Sequence, residues 1–506
     1  MEPVRSIPVP AAAAWPHIVN GLALSSRRGP RPEGHNAAFG GVLAAIFMLL
    51  SISAGAQPLN VVVIITDDQN DWSFNQLYPG VVTPSLDALA RQSLILDHAY
   101  TASPVCGPSR AAFFSGLYPH STGAYLNGAD PWRQGRLQTT ETLPELFKRN
   151  GYMTLGAGKL FHAKLNEGRE ANVWDNAPFH GGFGPYPEEA HRIAGRDEPA
   201  DTVGAKFWGV QEWSGPDEDF PDVVNANRLI DFFQQSHEKP FMAVYGLWRP
   251  HTPFTAPKRF FDLYDPAKIQ LPTGYRSEDL DDVPYYGHKL SQIWGQRWQS
   301  SGAANTDNWR RILHGYLAAT SFADWNVGRV IEALDNSAYA NNTLVLFWSD
   351  NGFHLGEKNH FEKATVWERS AHIPALIRLP GHHNAGQHVL QPVSNIDFYP
   401  TILDYTGLAG PAHKLDGESL RPLLEKPRQL WARPAITTYG ENVYSARDYR
   451  YRYIQYPDGS EELYDLQLDP HEFRNLADKA EFIEVKKRLA AFKPNIWAES
   501  LGGRNG

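Results

Sequence analysis

The segment Asn60-Val61-Val62-Val63-Ile64-Ile65-Thr66-Asp67-Asp68 decides the fold class of this chain. Its unbroken run of aliphatic, mostly β-branched residues predicts a strand that is buried on both faces, as in a largely parallel sheet. Asp67 and Asp68 follow at the carboxyl end of the strand, the edge of an open α/β sheet where ligands bind. Because adjacent carboxylates repel each other unless a cation lies between them, we interpret the pair as part of a metal site. A capping or turn role is the alternative.

A second segment, residues 342–352, has the same form: an apolar strand that ends in Asp350 and Asn351. If the two strand ends meet, Asp67, Asp68, Asp350 and Asn351 surround one point. Four oxygen donors without a usable set of nitrogen or thiolate ligands favour Ca²⁺ or Mg²⁺ over zinc.

Strand and helix patterns alternate along most of the chain, which predicts an α/β fold with a central, mostly parallel sheet and helices on both faces. We expect a leader at residues 1–56, a large catalytic domain at 57–426, and a small C-terminal α+β subdomain with an antiparallel sheet at 427–506. The individual predictions are helices opening at Thr83 and Leu143, a strand at 239–245, a long helix at 308–336, a strand at 374–378, and antiparallel strands at 450–456 and 462–466.

The composition limits the class of protein and its partners. The 506 residues are 42% hydrophobic and 12% aromatic, enough for one large domain and a smaller one. A formal charge of −9 without a dominant basic stripe argues against a nucleic-acid partner. The apolar stretch Gly41–Ala56 ends in Ala-x-Ala, so we predict a signal peptide cleaved after Ala56 and export to the periplasm or the exterior, with an uncleaved membrane anchor as the alternative.

Cys106 is the only cysteine, which rules out an intrachain disulfide or a cysteine-cluster metal site. It begins Cys106-Gly107-Pro108-Ser109-Arg110, just ahead of a predicted helix. Pro108 suits a first helical turn, whose free N–H groups attract anions or lower a thiol pKa, and Arg110 adds a positive charge. We therefore expect a chemically used residue rather than a small side chain that only fills space.

The Cys-x-Pro-x-Arg pattern and its continuation at 111–119 resemble the formylglycine-dependent (type I) sulfatases. The resemblance runs from Asn60 to about Leu476 and includes the segments 158–162, 248–254 and 362–364. Segment 248–254 and the stretch from Gly356 to Lys363 look most like bacterial relatives of iduronate-2-sulfatase, although that branch often has a histidine where Asn351 stands here.

This resemblance implies an alkaline-phosphatase-like fold and a sulfatase that acts on a sulfated glycan or its oligosaccharides. It also implies Ca²⁺ in preference to Mg²⁺, and oxidation of Cys106 to formylglycine by a separate formylglycine-generating maturation enzyme. By the same resemblance, His251 or Lys363 would protonate the departing alcohol, and His162 would be the base of the second step. The implied catalytic residues are Cys106, Arg110, Lys159, His162, His251 and Lys363, of which Lys159, His251 and Lys363 also bind substrate; the implied metal ligands are Asp67, Asp68, residue 106, Asp350 and Asn351.

Two long stretches without a clear period, residues 166–222 and 279–306, are expected to shape the binding site. Ordinary loop packing is the alternative for both. His354 and His360, close to the metal segment, are further candidates after His162 and His251. The aromatic candidates for stacking on sugar rings are Trp174, Trp208 and Trp213 in the first stretch, and Tyr285, Tyr286, His288, Trp294 and Trp298 in the second.

Two other functions stay open at this point. One is a phosphodiester or phosphonate monoester hydrolase of the same superfamily, which only comparative rates would separate from a sulfatase. The other is a secreted glycan-binding protein with a dead site. Its mark would be a missing nucleophile or metal carboxylate, and none of these residues is missing.

Overall fold

The computed structural model describes residues 57–502, apart from 72–77, 79, 167, 177 and 194–206. The predicted leader lies outside the described residues, and the domain boundaries after residues 56 and 426 stay predictions. Among the described helices, none has the length and apolar character needed to cross a membrane.

Eighteen strands and fourteen α-helices make up the described part of the chain. The strands are β1 (Asn60–Asp67), β2 (Leu94–Leu96), β3 (Ala99–Tyr100), β4 (Met153–Gly158), β5 (Val210–Trp213), β6 (Phe241–Pro250), β7 (Phe254–Pro257), β8 (Thr343–Ser349), β9 (His354–Leu355), β10 (Phe361–Glu362), β11 (His372–Ile373), β12 (Ala375–Arg378), β13 (His388–Val389), β14 (Val393–Ser394), β15 (Ala435–Thr438), β16 (Tyr444–Arg447), β17 (Tyr451–Gln455) and β18 (Glu461–Asp465). The helices are Pro84–Arg91, Cys106–Ser115, Pro119–Thr122, Leu143–Arg149, Glu170–Val173, Pro221–Phe233, Lys258–Phe261, Tyr285–Ser291, Gly295–Ser301, Thr306–Asp335, Glu368–Ala371, Phe398–Thr406, Arg421–Glu425 and Ile483–Ala490.

Seven strands form the main sheet, in the order β13-β2-β12-β8-β1-β6-β4. Strand β1 pairs in parallel with both β6 and β8, and β4 pairs in parallel with β6. Among the strands that the structure describes, β12 alone runs antiparallel to its neighbours in this sheet. The prediction of a mostly parallel sheet is confirmed, and β1 is an interior strand of it in which every residue is buried, as the sequence predicts.

The alternating side chains of β1 enter two different hydrophobic layers, as the two-residue period of a strand requires. Val61, Val63 and Ile65 pack into a layer that includes Phe113 of the Cys106–Ser115 helix and Phe398. Residues 62 and 64 pack into the opposite layer, which contains apolar side chains of the Pro84–Arg91, Pro221–Phe233 and Thr306–Asp335 helices. Helices therefore cover both faces of the sheet, as the sequence predicts.

The predicted long helix is observed at Thr306–Asp335, within two residues of the expected bounds. Asn305 caps it, because its side-chain oxygen accepts a hydrogen bond from the backbone N–H of Asn308 at 3.1 Å. The six apolar residues predicted for its inner face, Leu313, Leu317, Phe322, Val327, Val330 and Leu334, are all buried.

The C-terminal part contains a four-stranded antiparallel sheet in the order β15-β16-β17-β18. Strands β17 and β18 correspond to the two predicted strands, whereas the hairpin of β15 and β16 has no counterpart in the prediction. Ile454 and Tyr464 of this sheet share a hydrophobic cluster with Val105 and Ala364. The C-terminal sheet thus covers the two segments that carry Cys106 and Lys363.

The second stretch that we expected to be irregular is partly helical, with helices at Tyr285–Ser291 and Gly295–Ser301. Its aromatic residues pack on the protein: Tyr286 stacks on Tyr456 with ring centroids 5.3 Å apart, and Trp298 lies 5.2 Å from Trp309. Packing therefore accounts for these two rings.

Candidate active site

The proposed site residues follow the carboxyl ends of four neighbouring parallel strands. Asp68 comes after β1, Asp350 after β8, Lys159 after β4 and His251 after β6. Because β4, β6, β1 and β8 lie side by side, these ends share one edge of the sheet. The close approach of β4 and β6 depends on Gly246, where an added Cβ would lie 1.6 Å from the carbonyl oxygen of Lys159.

Three buried ion pairs form the floor of the site. The ammonium of Lys159 lies 2.5 Å from Oδ2 of Asp67, and that of Lys363 lies 2.5 Å from Oδ2 of Asp68. Nε of Arg110 donates to Oδ2 of Asp350 at 2.7 Å. Three carboxylates thus face three cationic side chains, and the floor is neutral without a metal ion. Burial opposes the charge on both lysines, but the facing carboxylates raise the pKa of Lys159 and of Lys363, so both keep their protons.

The donor atoms fit a hard divalent cation. Ligand atoms of Asp67, Asp68, Cys106 and His251 lie within 4.8 Å of one another. Within the described residues, Oδ1 of Asp67 and Oδ1 of Asn351 are buried without a hydrogen-bond partner. Buried oxygens without a hydrogen-bond partner are typical of a site for a hard cation, which favours Ca²⁺ or Mg²⁺.

The amide and carboxylate groups around this point are held in place by hydrogen bonds. Nδ2 of Asn351 donates to Oδ1 of Asp68 and to the carbonyl of Gly352, both at 2.8 Å. Oδ1 of Asp350 accepts from the backbone N–H of Asp68 at 3.2 Å. Burial raises the pKa of Asp67 to about 7 against the opposing charge of Lys159, with Asp350 and Asp68 adding to the rise.

Cys106 begins its helix and points into this cluster, with Sγ 3.7 Å from Oδ1 of Asp68. The sequence suggested that the helix terminus and Arg110 would lower the thiol pKa. That suggestion is wrong: burial, followed by the charge of Asp67, raises the pKa of Cys106 well above its usual value, although Lys159 and Lys363 oppose the shift. The unmodified side chain is therefore a neutral thiol, a weak nucleophile.

Arg110 is hydrogen-bonded to residues at the strand ends that form the site. Its side chain is fully buried, and besides Asp350 it donates to the carbonyls of Lys159 and Leu160 and to that of Thr66. The resemblance implies a catalytic role for Arg110, but the guanidinium faces protein acceptors on these sides. We therefore describe it as a positioning residue for Asp350 and for the end of β4.

His162 and Asn127 lie beside the residue that follows the cysteine. A Cβ added at Gly107 would lie 2.7 Å from Oδ1 of Asn127 and 3.3 Å from Nδ1 of His162, so this close packing requires glycine. Asn127 accepts the backbone N–H of Gly107 at 2.9 Å. Nothing in the local sequence of Asn127 indicates that this residue reaches the start of the helix, so it was not predicted as part of the site. His162 itself is exposed, at the rim of the site.

The remaining histidine candidates divide into two groups. Nε2 of His251 lies 3.5 Å from Oδ2 of Asp68, and its Nδ1 lies 2.5 Å from the carbonyl of Thr252. Burial and the charge of Lys363 lower the pKa of His251 well below its usual value, so the ring is neutral. His354 and His360 are buried and use both ring nitrogens in protein hydrogen bonds; one of these, from Nε2 of His360 to the carbonyl of Lys363 at 2.8 Å, holds the lysine segment in place.

Two of the three tryptophans expected to stack on sugar rings are buried in the protein. Trp174 and Trp208 are 3% and 0% exposed, which leaves no face for a ligand. Trp213 packs near Phe220, at 6.4 Å between ring centroids, and donates from Nε1 to Asp219 at 3.0 Å. Interior packing therefore explains the first two residues, and the expectation of sugar stacking is wrong for them.

Comparisons with known proteins agree with this geometry. Residues 59–408 match the family model described as Sulfatase, and residues 356–494 match the one described as N-sulphoglucosamine sulphohydrolase, C-terminal. A sulfatase of Formosa agariphila is 36% identical over 445 residues, which cover 86% of each chain. Iduronate 2-sulfatase of Homo sapiens is 29% identical over 337 residues, which cover 64% of this chain and 60% of the human protein.

The fold is also that of a solved structure, the phosphonate monoester hydrolase of Agrobacterium radiobacter. It superimposes with a TM-score of 0.70 over 86% of this chain and 94% of that one, at 22% identity, so the likeness shows the fold alone. The family match covers most of the chain and includes the strand ends, the cysteine helix and the lysine segment. The chain therefore belongs to the sulfatase family, the sulfuric ester hydrolases of type I within the alkaline-phosphatase superfamily.

Proposed function

We propose that this protein is an exported sulfatase that removes sulfate from a sulfated glycan, using Ca²⁺ and a formylglycine made from Cys106. The observation that carries the proposal is the position of Cys106, whose Sγ lies among the ligand atoms of Asp67, Asp68 and His251. The glycan class is supported by the human relative, whose name states a sulfated iduronate.

The charge of the site suits a sulfate monoester. The three carboxylates are balanced by Lys159, Lys363 and Arg110. A divalent cation would therefore leave a net positive charge in a buried cleft, which attracts an anion with a single negative charge. When bound, Ca²⁺ would be held by Asp67, Asp68, Asp350 and Asn351 and would polarise the sulfate group, while formylglycine at position 106 would supply the nucleophilic oxygen of a hydrated aldehyde.

The two lysines are suited to holding the sulfate oxygens. Both ammonium groups lie at the cluster, that of Lys159 against Asp67 and that of Lys363 against Asp68. They are point charges with several donors, so they can shift from a carboxylate to a sulfate oxygen as charge develops there. Because the pKa of Lys363 is raised, this lysine is a poor proton donor.

His251 is the better candidate for protonating the leaving alcohol. Its Nδ1 faces the carbonyl of Thr252, which favours the tautomer with the proton on Nδ1. Nε2 then carries the lone pair. Because the side chain is 14% exposed, this atom would take up a proton from solvent and pass it to the departing oxygen. His162, at the rim beside Gly107, is placed to accept a proton from residue 106 in the second step.

The proposal is tested by producing the chain together with a formylglycine-generating enzyme. We expect mass spectrometry to find aldehyde in the peptide containing Cys106, and sulfated disaccharides to release sulfate. Cys106→Ala should abolish release with an unchanged melting temperature, and protein made without the maturation enzyme is the matched control. Near-normal release by Cys106→Ala would contradict the proposed nucleophile, and faster turnover of a phosphonate monoester than of any sulfate ester would favour the alternative hydrolase.

Export rests on the apolar stretch Gly41–Ala56 and is tested separately. In a host with a general secretion system, we expect the full chain to yield a periplasmic or extracellular product whose first residue is Gln57. A product that keeps residues 1–56 and stays in the cytoplasm would contradict export.

A further inference from the structure

A short loop, residues 179–185, is fastened to the strand ends that carry Lys159 and His251. From the side of β6 and β7, Trp248 Nε1 donates to the carbonyl of His180 at 2.7 Å, and Arg249 Nη2 donates to that of Phe183 at 2.8 Å. Thr255 Oγ1 donates to the carbonyl of Pro185 at 2.7 Å.

The end of β4 holds the other side of this loop. The backbone N–H of Gly158 donates to the carbonyl of Phe179 at 3.0 Å, and Nδ1 of His180 lies 3.1 Å from the carbonyl of Gly158. Arg249, which donates to the carbonyl of Phe183, is itself buried and also donates to the carbonyl and the hydroxyl oxygen of Thr255. Side chains presented by this loop are therefore fixed relative to the candidate catalytic groups.

Phe183 is the residue that the loop presents to the site. Its ring centroid lies 4.5 Å from that of His251 and 4.4 Å from that of Trp248, and the ammonium of Lys159 lies 5.3 Å from the ring. Phe183, Trp248 and His251 are all partly exposed. The three rings form one aromatic wall, Phe183–Trp248–His251, beside the floor of the site.

The position of this wall constrains the leaving group. If Lys159 binds the sulfate group and His251 protonates the ester oxygen, the carbon bonded to that oxygen must lie next to the wall. A saturated ring has an apolar face of C–H groups that can lie flat on an aromatic ring, whereas an open chain has no flat face and loses more rotational freedom.

We propose that Phe183 is a specificity-determining residue that favours sulfate esters carried directly on a six-membered ring over those of open-chain alcohols. This inference rests on the proposed sulfatase function. Phe183 would thereby supply, at the site itself, the aromatic contact that was first expected from Trp174 and Trp208.

Two substrates test the proposal, cyclohexyl sulfate and 3-pentyl sulfate. Both are secondary alkyl sulfates; the first has a six-membered ring, and the second an open chain that is one carbon shorter. We expect Phe183→Ala to raise KM for cyclohexyl sulfate about tenfold, with kcat changed less than threefold, the scale of one lost aromatic contact. KM for 3-pentyl sulfate should change less than threefold, and Phe183→Tyr should restore the preference for the ring.

Phe179→Ala is the control, because Phe179 belongs to the same loop and is 42% exposed. It should leave both substrates unchanged. Equal losses on the two substrates, or a fall in kcat without a rise in KM, would overturn the inference, since Phe183 would then only orient Lys159. If the wild type keeps its activity on 3-pentyl sulfate and shows no ring preference, this inference fails while the proposed function stands. No turnover of any sulfate ester by the wild type would overturn both.

Discussion

We expect a buried histidine that faces Asp71 and Glu368 to make the stability of the protein depend on pH. The side chain of His372 is 5% exposed, and its Nδ1 lies 3.0 Å from carboxylate oxygens of both Asp71 and Glu368. Its Nε2 lies 2.7 Å from the carbonyl of Asp97. All three partners are acceptors, so both ring nitrogens carry a proton and the ring is a cation.

The size of the effect follows from the shift in the pKa of His372. Burial lowers this pKa, but Asp71 and Glu368 outweigh burial and raise it from the ordinary 6.5 to about 9. The folded state therefore holds the proton more tightly than the unfolded chain. The stabilisation is complete below pH 6.5 and is lost as the pH rises through 9, and the shift corresponds to about 3 kcal/mol.

The assay is denaturant unfolding, followed by tryptophan fluorescence at pH 6, 7.5 and 9, for the wild type and His372→Gln. Other groups titrate in both proteins, so the difference between the two curves isolates the imidazole. We expect the advantage of the wild type to shrink by about 3 kcal/mol between pH 6 and 9. His388→Gln is the matched control, because that histidine is 55% exposed and its ion pair with Asp97 contributes little.

If the free energies of unfolding of the wild type and His372→Gln change with pH in parallel, this reasoning is refuted. A ring that is already neutral at pH 6 contributes no stability that could be lost between pH 6 and 9. An equal response in His388→Gln would refute it too, since the effect would then come from histidines in general.

Three further outcomes are expected. Asp222→Ala removes the acceptor of two backbone N–H groups at the end of β6. This change should lower the free energy of unfolding by about 3 kcal/mol and displace His251. Asp231→Ala, on the same helix, is the control and should do neither. Lys363→Gln, which removes the ion pair with Asp68, should lower kcat by roughly 10²–10³-fold, and a loss below threefold would exclude Lys363 from the reaction. Ca²⁺ at a hundredfold excess over its dissociation constant should stabilise EGTA-treated protein by about 2.7 kcal/mol in thermal unfolding, and an unchanged midpoint would argue against a metal site.

Residues with a local pattern could be placed from the sequence. The apolar run of β1 predicts a buried strand of a parallel sheet. Because the run at β8 also ends in polar residues, the sequence favours a common site for Asp67, Asp68 and Asp350, and the pairing of β1 with β8 brings these strand ends to one edge. The long helix was predicted within two residues of its observed bounds, Thr306–Asp335, because hydrophobic periodicity over several turns is a strong signal.

The surroundings of individual side chains could not be read in this way. Trp174 and Trp208 lie in a stretch without a period, so nothing local distinguishes a buried ring from a stacking surface. Phe183 was not singled out at all, because its place beside His251 depends on hydrogen bonds from β6 and β7 to a distant loop.

The sequence by itself determined the fold class, the strand ends that carry the site, and the residues that belong to the sulfatase pattern. Only the tertiary structure decided that Arg110 is buried against Asp350, 240 positions away, and that the thiol of Cys106 is neutral. The physical reason is the separation along the chain of the groups that interact. Strand and helix patterns arise from neighbours within a few residues, whereas burial, ion pairing and pKa shifts depend on groups that only the folded chain brings together.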